Sequence, residues 1–295
     1  MVPREVVVPL LRGEMAAGSD RHESTGSSFA SDVSRETSKR VVLHSRTNRG
    51  GPKLKHLAQD AEEVLLRLCT VGAIEVSDSQ RDLLLKYLDA LIEMNSHLNL
   101  TRIVDPTAAI RLHLIDSMLC LPEVSGAPPG PLCDIGTGGG LPGVPLCVVT
   151  GRKGRLLDSV AKKADALNQM LVSLRLDLSI IAVPERSELH ALAHPAKYAV
   201  VTARAVSSLP ALVEMASPLL AHGGVLVAMK GFPDQTELER GRAVAGLVGM
   251  EESGCRELLL PGGTERRTVV SYRKIGKSRV RLPRRPGQAH HTPLA

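Results

Sequence analysis

A run of glycines constrains this chain more than any other feature. Leu132-Cys133-Asp134-Ile135 is apolar except for one carboxylate. It breaks into Gly136-Thr137-Gly138-Gly139-Gly140-Leu141-Pro142-Gly143 before apolar sequence resumes at Val144. The pattern reads as strand, tight loop and helix. Without Cβ atoms the loop can take positive φ and approach a ligand closely, while the following helix offers unpaired N–H groups and a positive dipole end. The stretch therefore predicts a cradle for a small charged ligand.

From Leu132 onward, apolar runs that end in polar residues alternate with helical patterns. Strands are expected at residues 155–158, 178–183, 198–202, 225–229, around 257–260 and at 268–273, with helices such as 161–174 and 209–220 between them. This alternation is the mark of a doubly wound α/β fold with a mostly parallel sheet, in which ligands bind beyond the carboxyl ends of the strands. Asp134, Asp158 and Arg204 all fall at such ends. Ahead of the sheet lies a helical preface. Leu57, Ala61, Val64, Leu65 and Leu68 recur at helical spacing until Gly72, Ser77-Asp78-Ser79-Gln80 announces a second helix, and Asp105-Pro106 opens a third that carries His113 and Asp116.

The order predicts four regions: a disordered extension over 1–55, the preface over 56–125, an α/β domain over 126–274 and a disordered basic tail over 275–295. The formal charge of +6 is uneven, with +4 on residues 1–55, +7 on 271–295 and −5 between. Basic ends attract polyanions through counterion release, so both are expected phosphate contacts or else solvated tails. Five cysteines without a CxxC pair indicate neither a disulfide framework nor a thiolate metal site, and no long apolar run occurs. A soluble, cytoplasmic chain that makes no use of a membrane is expected.

Gly138, Gly140 and Gly143 satisfy GxGxxG, the dinucleotide fingerprint. A carboxylate at the strand tip, Asp134, would repel a pyrophosphate, whereas the sulfonium and ammonium groups of S-adenosylmethionine suit it. Asp158, 24 residues further on, can accept from ribose hydroxyls, which both ligands carry, or can cap the helix near Ala161. Arg204 closes an apolar strand and must meet a carboxylate, a phosphate or a nucleobase; a structural pair with Asp134 or Asp158 is the plain alternative. His97 and His113 read first as hydrogen-bonded structural groups.

Taken together, Asn95, His97-Leu98-Asn99-Leu100-Thr101, Asp105-Pro106, His113-Leu114-Ile115-Asp116-Ser117, the glycine loop, Leu156–Lys163, Arg186–Glu188, Val201–Ala205 and Leu219–Gly231 resemble the bacterial RsmG (GidB) family over roughly residues 58–274. The resemblance implies a class I, Rossmann-like methyltransferase with a seven-stranded sheet and an N-terminal helical preface. Such an enzyme transfers the methyl group of S-adenosyl-L-methionine to N7 of a guanine in 16S rRNA, within the small ribosomal subunit or its precursor, and the chain is expected to be a monomer. It implies that Gly136, Gly138 and Leu141 line the donor site, with Asp134 at the methionine end, Asp158 at the ribose and Ser187-Glu188 beside the adenine. Arg204 would belong to the donor site too and, with Lys230 and His113, would lie toward the substrate.

Guanine N7 has an in-plane lone pair, so the transfer requires no general base and no metal. Met94 stands where the family commonly has Trp, and Phe232 where a polar residue is usual. Base stacking is limited to Tyr87, Tyr198, Tyr272, Phe29 and Phe232. Arg102, Arg111, Lys162, Lys163, Lys230 and the tail cations Lys274, Lys277, Arg279, Arg281, Arg284 and Arg285 are the expected phosphate contacts. Two rival readings remain: an NAD(P)-dependent oxidoreductase and a non-catalytic, RNA-binding ribosome assembly factor.

Overall fold

A computed structural model describes residues 56–57, 59–103 and 105–295. The expected disordered extension over 1–55, with Phe29, lies outside them. Helix α1 (Ala61–Val71) buries Ala61, Val64, Leu65 and Leu68 on one face and stops where Gly72 N–H bonds Leu68 O. Helix α2 (Asp78–Leu98) begins with a reciprocal cap: Gln80 N–H donates to Ser77 Oγ, and Ser77 N–H donates to Gln80 Oε1. Asn99, in the left-handed region at φ 48°, ends it.

The third preface helix is less regular than its spacing predicts. Asp105 Oδ1 accepts from Ala108 N–H at the start of α3 (Pro106–Ala109). The chain then widens into a π-helical stretch, Ile110–Ile115, before α4 (Asp116–Met118) and α5 (Leu121–Ser125). Wide turns of this kind redirect side chains and backbone carbonyls, and here Leu112 O accepts from Arg204.

Seven strands form one sheet in the order β3-β2-β1-β4-β5-β7-β6. They are β1 (Leu132–Ile135), β2 (Gly154–Leu157), β3 (Ile180–Val183), β4 (Tyr198–Arg204), β5 (Leu220–Lys230), β6 (Met250–Leu259) and β7 (Arg266–Lys274). The first five are parallel, and β7 runs antiparallel between β5 and β6. Strand β6 is longer than its apolar run suggests because one of its edges is unpaired and its outward residues are polar. Helices α6 (Gly143–Thr150) and α7 (Ala161–Ser173) cover one face, together with α1 and α2. Helices α8 (Ser187–Ala193), α9 (Leu209–Ala216) and α10 (Gln235–Leu247) cover the other. The order reverses at β1, which pairs with β2 on one side and β4 on the other, so the switch-point crevice opens beyond β1 and β4.

The described residues of the expected preface and sheet domain form one compact unit, since preface residues Leu65, Leu84, Leu88 and Leu91 share a core with Leu132, Val144 and Leu156. The tail over 275–295 departs from the expected disorder. Ile275 and Gly276 N–H groups bond Gly249 O, and Arg279 N–H bonds Leu247 O. Val280, Leu282 and Leu294 pack on the second core, Ala289 of α11 (Gln288–His291) is buried, and Arg240 donates to Ala295 O at 2.9 and 2.6 Å. Arg284 grips the buried Glu214 of α9 with two bonds of 2.6 Å. Composition alone suggested a solvated tail because the acidic partner sits 70 residues away.

Removing Arg284 leaves a buried carboxylate unpaired, at a cost on the order of 3 kcal/mol. Arg284→Ala is therefore expected to lower the urea midpoint markedly, whereas Arg285→Ala, an exposed neighbour, is expected to leave it unchanged.

Candidate methyl-donor site

The glycine loop is built around the Asp134 carboxylate. Strand β1 is buried along its length, and Asp134 at its third position is wholly enclosed. Oδ1 accepts from Thr202 Oγ1 of β4 at 2.7 Å, and Oδ2 accepts from Gly143 N–H at the start of α6 at 3.1 Å. Asp134 thus lies beneath the loop rather than in the open crevice. Burial pushes its carboxyl up to about 6, against its hydrogen bonds and the charge of Arg204.

Three loop glycines have positive φ: Gly136 at 68°, Gly138 at 57° and Gly140 at 104°. They differ in what surrounds them. A Cβ on Gly136 would meet Val206 Cγ2 at 2.6 Å, and one on Gly140 would meet Val144, Leu167 and Tyr87, whereas one on Gly138 would meet nothing within 4 Å. Gly138 therefore faces open space. Gly136 is required by protein packing, and a valine there would disturb the fold as well as fill the loop. Leu141 is buried in the core, and its N–H donates to Thr137 O at 3.0 Å. Tyr87 Oη of α2 donates to Gly139 O at 2.8 Å and fixes the loop from below.

Asp158, just beyond β2, braces the loop from the side. Oδ2 accepts from Gly138 N–H at 3.0 Å and Oδ1 from Val160 N–H at 2.9 Å, so its role ahead of α7 coexists with a contact to the loop. Further along the same edge, Ser187 and Glu188 open α8 after β3, and both are buried. Ser187 Oγ donates to Glu188 Oε2 at 3.0 Å, and Gly287 N–H of the C-terminal segment donates to Oε1 at 2.7 Å.

On the other side of the crevice, Arg204 finds a partner outside the pair considered from sequence. It donates to Asp116 Oδ2 at 3.0 Å and to Leu112 O at 3.1 Å. Arg267 of β7 holds the other oxygen of Asp116, Nε to Oδ1 at 2.7 Å, so one preface carboxylate sits between two guanidinium groups. His113 is buried beside them, its Nε2 2.9 Å from Thr101 Oγ1. Burial, reinforced by Arg204, pushes its imidazole down to about 4, which keeps it neutral near pH 7. Lys230 is paired with Glu237 Oε1 at 2.8 Å and donates to Ser207 O at 2.9 Å.

The expected phosphate contacts divide accordingly. Arg111 is held by both oxygens of Glu265, Lys274 by Ser217 and Val248 O, and Arg284 by Glu214, whereas Arg102, Lys162, Lys277, Arg279, Arg281 and Arg285 are exposed. Tyr87, Tyr198 and Tyr272 are fully buried and cannot stack on a base. Phe232, just past β5, is 63 % exposed with the Arg266 guanidinium 5.5 Å from its ring centre. Sequence reasoning missed Tyr87, Thr202, Arg267 and Gly287 as supports of the site. Each acts on a residue far away in the chain, and no local pattern carries that pairing.

A sheet ordered 3-2-1-4-5-7-6 with an antiparallel seventh strand, and a glycine loop at its switch point, is the Rossmann-like fold of the class I methyltransferases. The family model described as GidB, rRNA small subunit methyltransferase G, matches residues 80–261. Two relatives carry the name ribosomal RNA small subunit methyltransferase G. The one from Chloroflexus aggregans is 37% identical over 238 residues, covering 80% of this chain and 99% of the relative. The one from Acetivibrio thermocellus is 34% identical over 244 residues, covering 80% and 99%. The chain belongs to this family of rRNA methyltransferases.

The raised carboxyl of Asp134 carries a stability signature. The folded chain binds that proton more tightly than the unfolded chain, so stability is highest below the ordinary value of 3.8 and falls as pH rises to about 6. Urea unfolding of Asp134→Asn and the parent between pH 4 and 7 is expected to show this fall in the parent and its loss in the variant.

Proposed function

We propose that the chain transfers the methyl group of S-adenosylmethionine to N7 of a guanine in 16S rRNA, acting in the cytoplasm as a monomer on the small subunit or its precursor. The observation that carries the donor reading is the open face of Gly138, braced by Asp158 and backed by the buried charge of Asp134. The cradle fits a donor without phosphates. A loop that approaches the ligand closely has a carboxylate beneath it, which favours a cation and disfavours a pyrophosphate.

When bound, S-adenosylmethionine supplies an electrophilic methyl group on a sulfonium. In this reading Gly138 and the backbone at Leu141 border its methionine half. Asp158 retains lone pairs for ribose hydroxyls, since a carboxylate accepts more bonds than the two it receives from the backbone. Ser187 and Glu188 border the adenine. The acceptor nitrogen already has its lone pair, so the chain's work is alignment and electrostatic control rather than proton removal. A neutral, hydrogen-bonded His113 suits a structural part in that scheme. Arg204 and Lys230, both paired, shape the substrate side through their pairs, and Phe232 with Arg266 offers a free aromatic face for an unpaired base.

The deciding experiment is mass spectrometry of 16S rRNA from cells with and without the gene. Loss of one N7-methylguanosine on deletion, restored by the purified protein with S-adenosylmethionine, is expected; unchanged content refutes the methylation reading and leaves an assembly factor. Calorimetric binding of NADH with no response to S-adenosylmethionine would establish the oxidoreductase reading instead.

Gly138→Leu separates the loop's ligand from its packing. A Cβ there meets no protein atom within 4 Å, and the left-handed backbone costs about 1–2 kcal/mol. The variant is expected to fold, by its cooperative melt, and to lose donor binding by calorimetry; a folded variant with parental affinity would remove Gly138 from the site.

A further inference from the structure

The segment after β7 begins at the amino-end side of the sheet, where Gly249 O and Leu247 O receive its N–H groups, and ends at the crevice. There it makes two contacts, one at the start of α8 after β3 and one on the loop after β4. Gly287 N–H donates to Glu188, just past β3, and His290 Nδ1 lies 2.9 Å from Ser207 Oγ, just past β4. Ser207 adjoins Val206, whose methyls back Gly136 of the glycine loop. The segment thus links the start of α8, assigned to the adenine, with the loop that abuts the cradle.

We propose that residues 284–291 form the outer wall of the donor's adenosine pocket, with Gly287 as the positioning residue for Glu188; this rests on the donor reading above. A buried carboxylate must have its oxygens satisfied or it turns toward water. Ser187, its neighbour, satisfies Oε2, and Oε1 receives its bond from Gly287, 99 residues away. That bond fixes the direction in which Glu188 presents its remaining lone pairs.

The wall is anchored at both ends. Arg284 clamps Glu214 on one side of Gly287, and on the other Arg240 holds Ala295 O while Ala289 is buried. Gly287 itself sits at φ 80°, a backbone conformation that turns the chain so its N–H points at Glu188. A Cβ there would come no closer than 3.9 Å to Arg186, so a substitution strains the turn without colliding with the body. The family match ends at residue 261, ahead of the whole segment. From sequence, residues 275–295 are expected to be a disordered basic tail that contacts phosphate or solvent; the wall predicts instead that their removal weakens donor binding.

The test compares the full chain, a chain ending at residue 286 and Gly287→Val. S-adenosylhomocysteine binding is measured by calorimetry, and KM for S-adenosylmethionine and for the rRNA substrate by steady-state kinetics. The truncation keeps the Arg284–Glu214 clamp, and Gly287→Val strains the turn while leaving the rest of the segment in place, so it decides the matter if the truncated chain does not fold. Both variants are expected to weaken S-adenosylhomocysteine about tenfold, the usual worth of one bond to a charged group, and to raise KM for the donor without changing kcat or KM for RNA. Adding Glu188→Gln to the truncation is expected to cost less than it does in the full chain, since both changes break one interaction. Parental donor affinity in a folded variant overturns the wall, as does a rise confined to KM for RNA. Failure of the full chain itself to bind S-adenosylhomocysteine overturns the donor reading, and the wall with it.

Discussion

The carboxylate of Asp134 is the point to which the rest of the crevice is referred. Burying an ion without exposure is costly, and here the cost is met by two donors from different elements, the Thr202 hydroxyl of β4 and the N–H of Gly143 at the head of α6. One group therefore fixes the spacing between β1 and β4 and the point at which the loop must turn into α6. The residue identities around it follow. Gly143 cannot carry a side chain, because a Cβ would press on Leu156 and on the carboxylate itself. The glycines that bend above it, at 136, 138 and 140, differ in purpose, two answering to protein atoms and one to open space.

A second charged centre joins the preface to the sheet. Asp116, on the far side of the crevice, lies between Arg204 from β4 and Arg267 from β7, and the π-helical stretch ahead of it turns Leu112 O toward the same arginine. Removing Asp116 would leave two partly buried guanidinium groups without their shared carboxylate, so the cluster depends on it. With Tyr87 holding Gly139 from α2, the helices ahead of β1 are structural members of the site rather than a separate module.

Much of this architecture was legible in the chain. The alternation of apolar runs and helical spacing is a local property, as are the Ser77–Gln80 cap and the glycine loop; the cap and loop were found where expected, and the alternation held although β6 begins at Met250 and the third preface helix is irregular. The resemblance on ordered motifs led to the family that the comparisons show. What escaped was pairing across distance. Arg204 was expected to meet a carboxylate, yet the one it meets lies 88 residues back, and Arg267 reaches the same group across 151. The tail failed differently: its arginines and prolines look solvated by composition, while Val280, Leu282, Ala289 and Leu294, spaced along an irregular segment, give no periodic signal of burial.

The tyrosines have an optical consequence. The chain contains no tryptophan and three tyrosines, all buried, and one of them donates its hydroxyl hydrogen to Gly139 in the glycine loop. Tyrosine emission, normally drained by energy transfer to indoles, is here unmasked. Any ligand that shifts the Gly139 carbonyl alters the environment of the Tyr87 phenol, which gives the protein a built-in spectroscopic reporter of loop occupancy without a label.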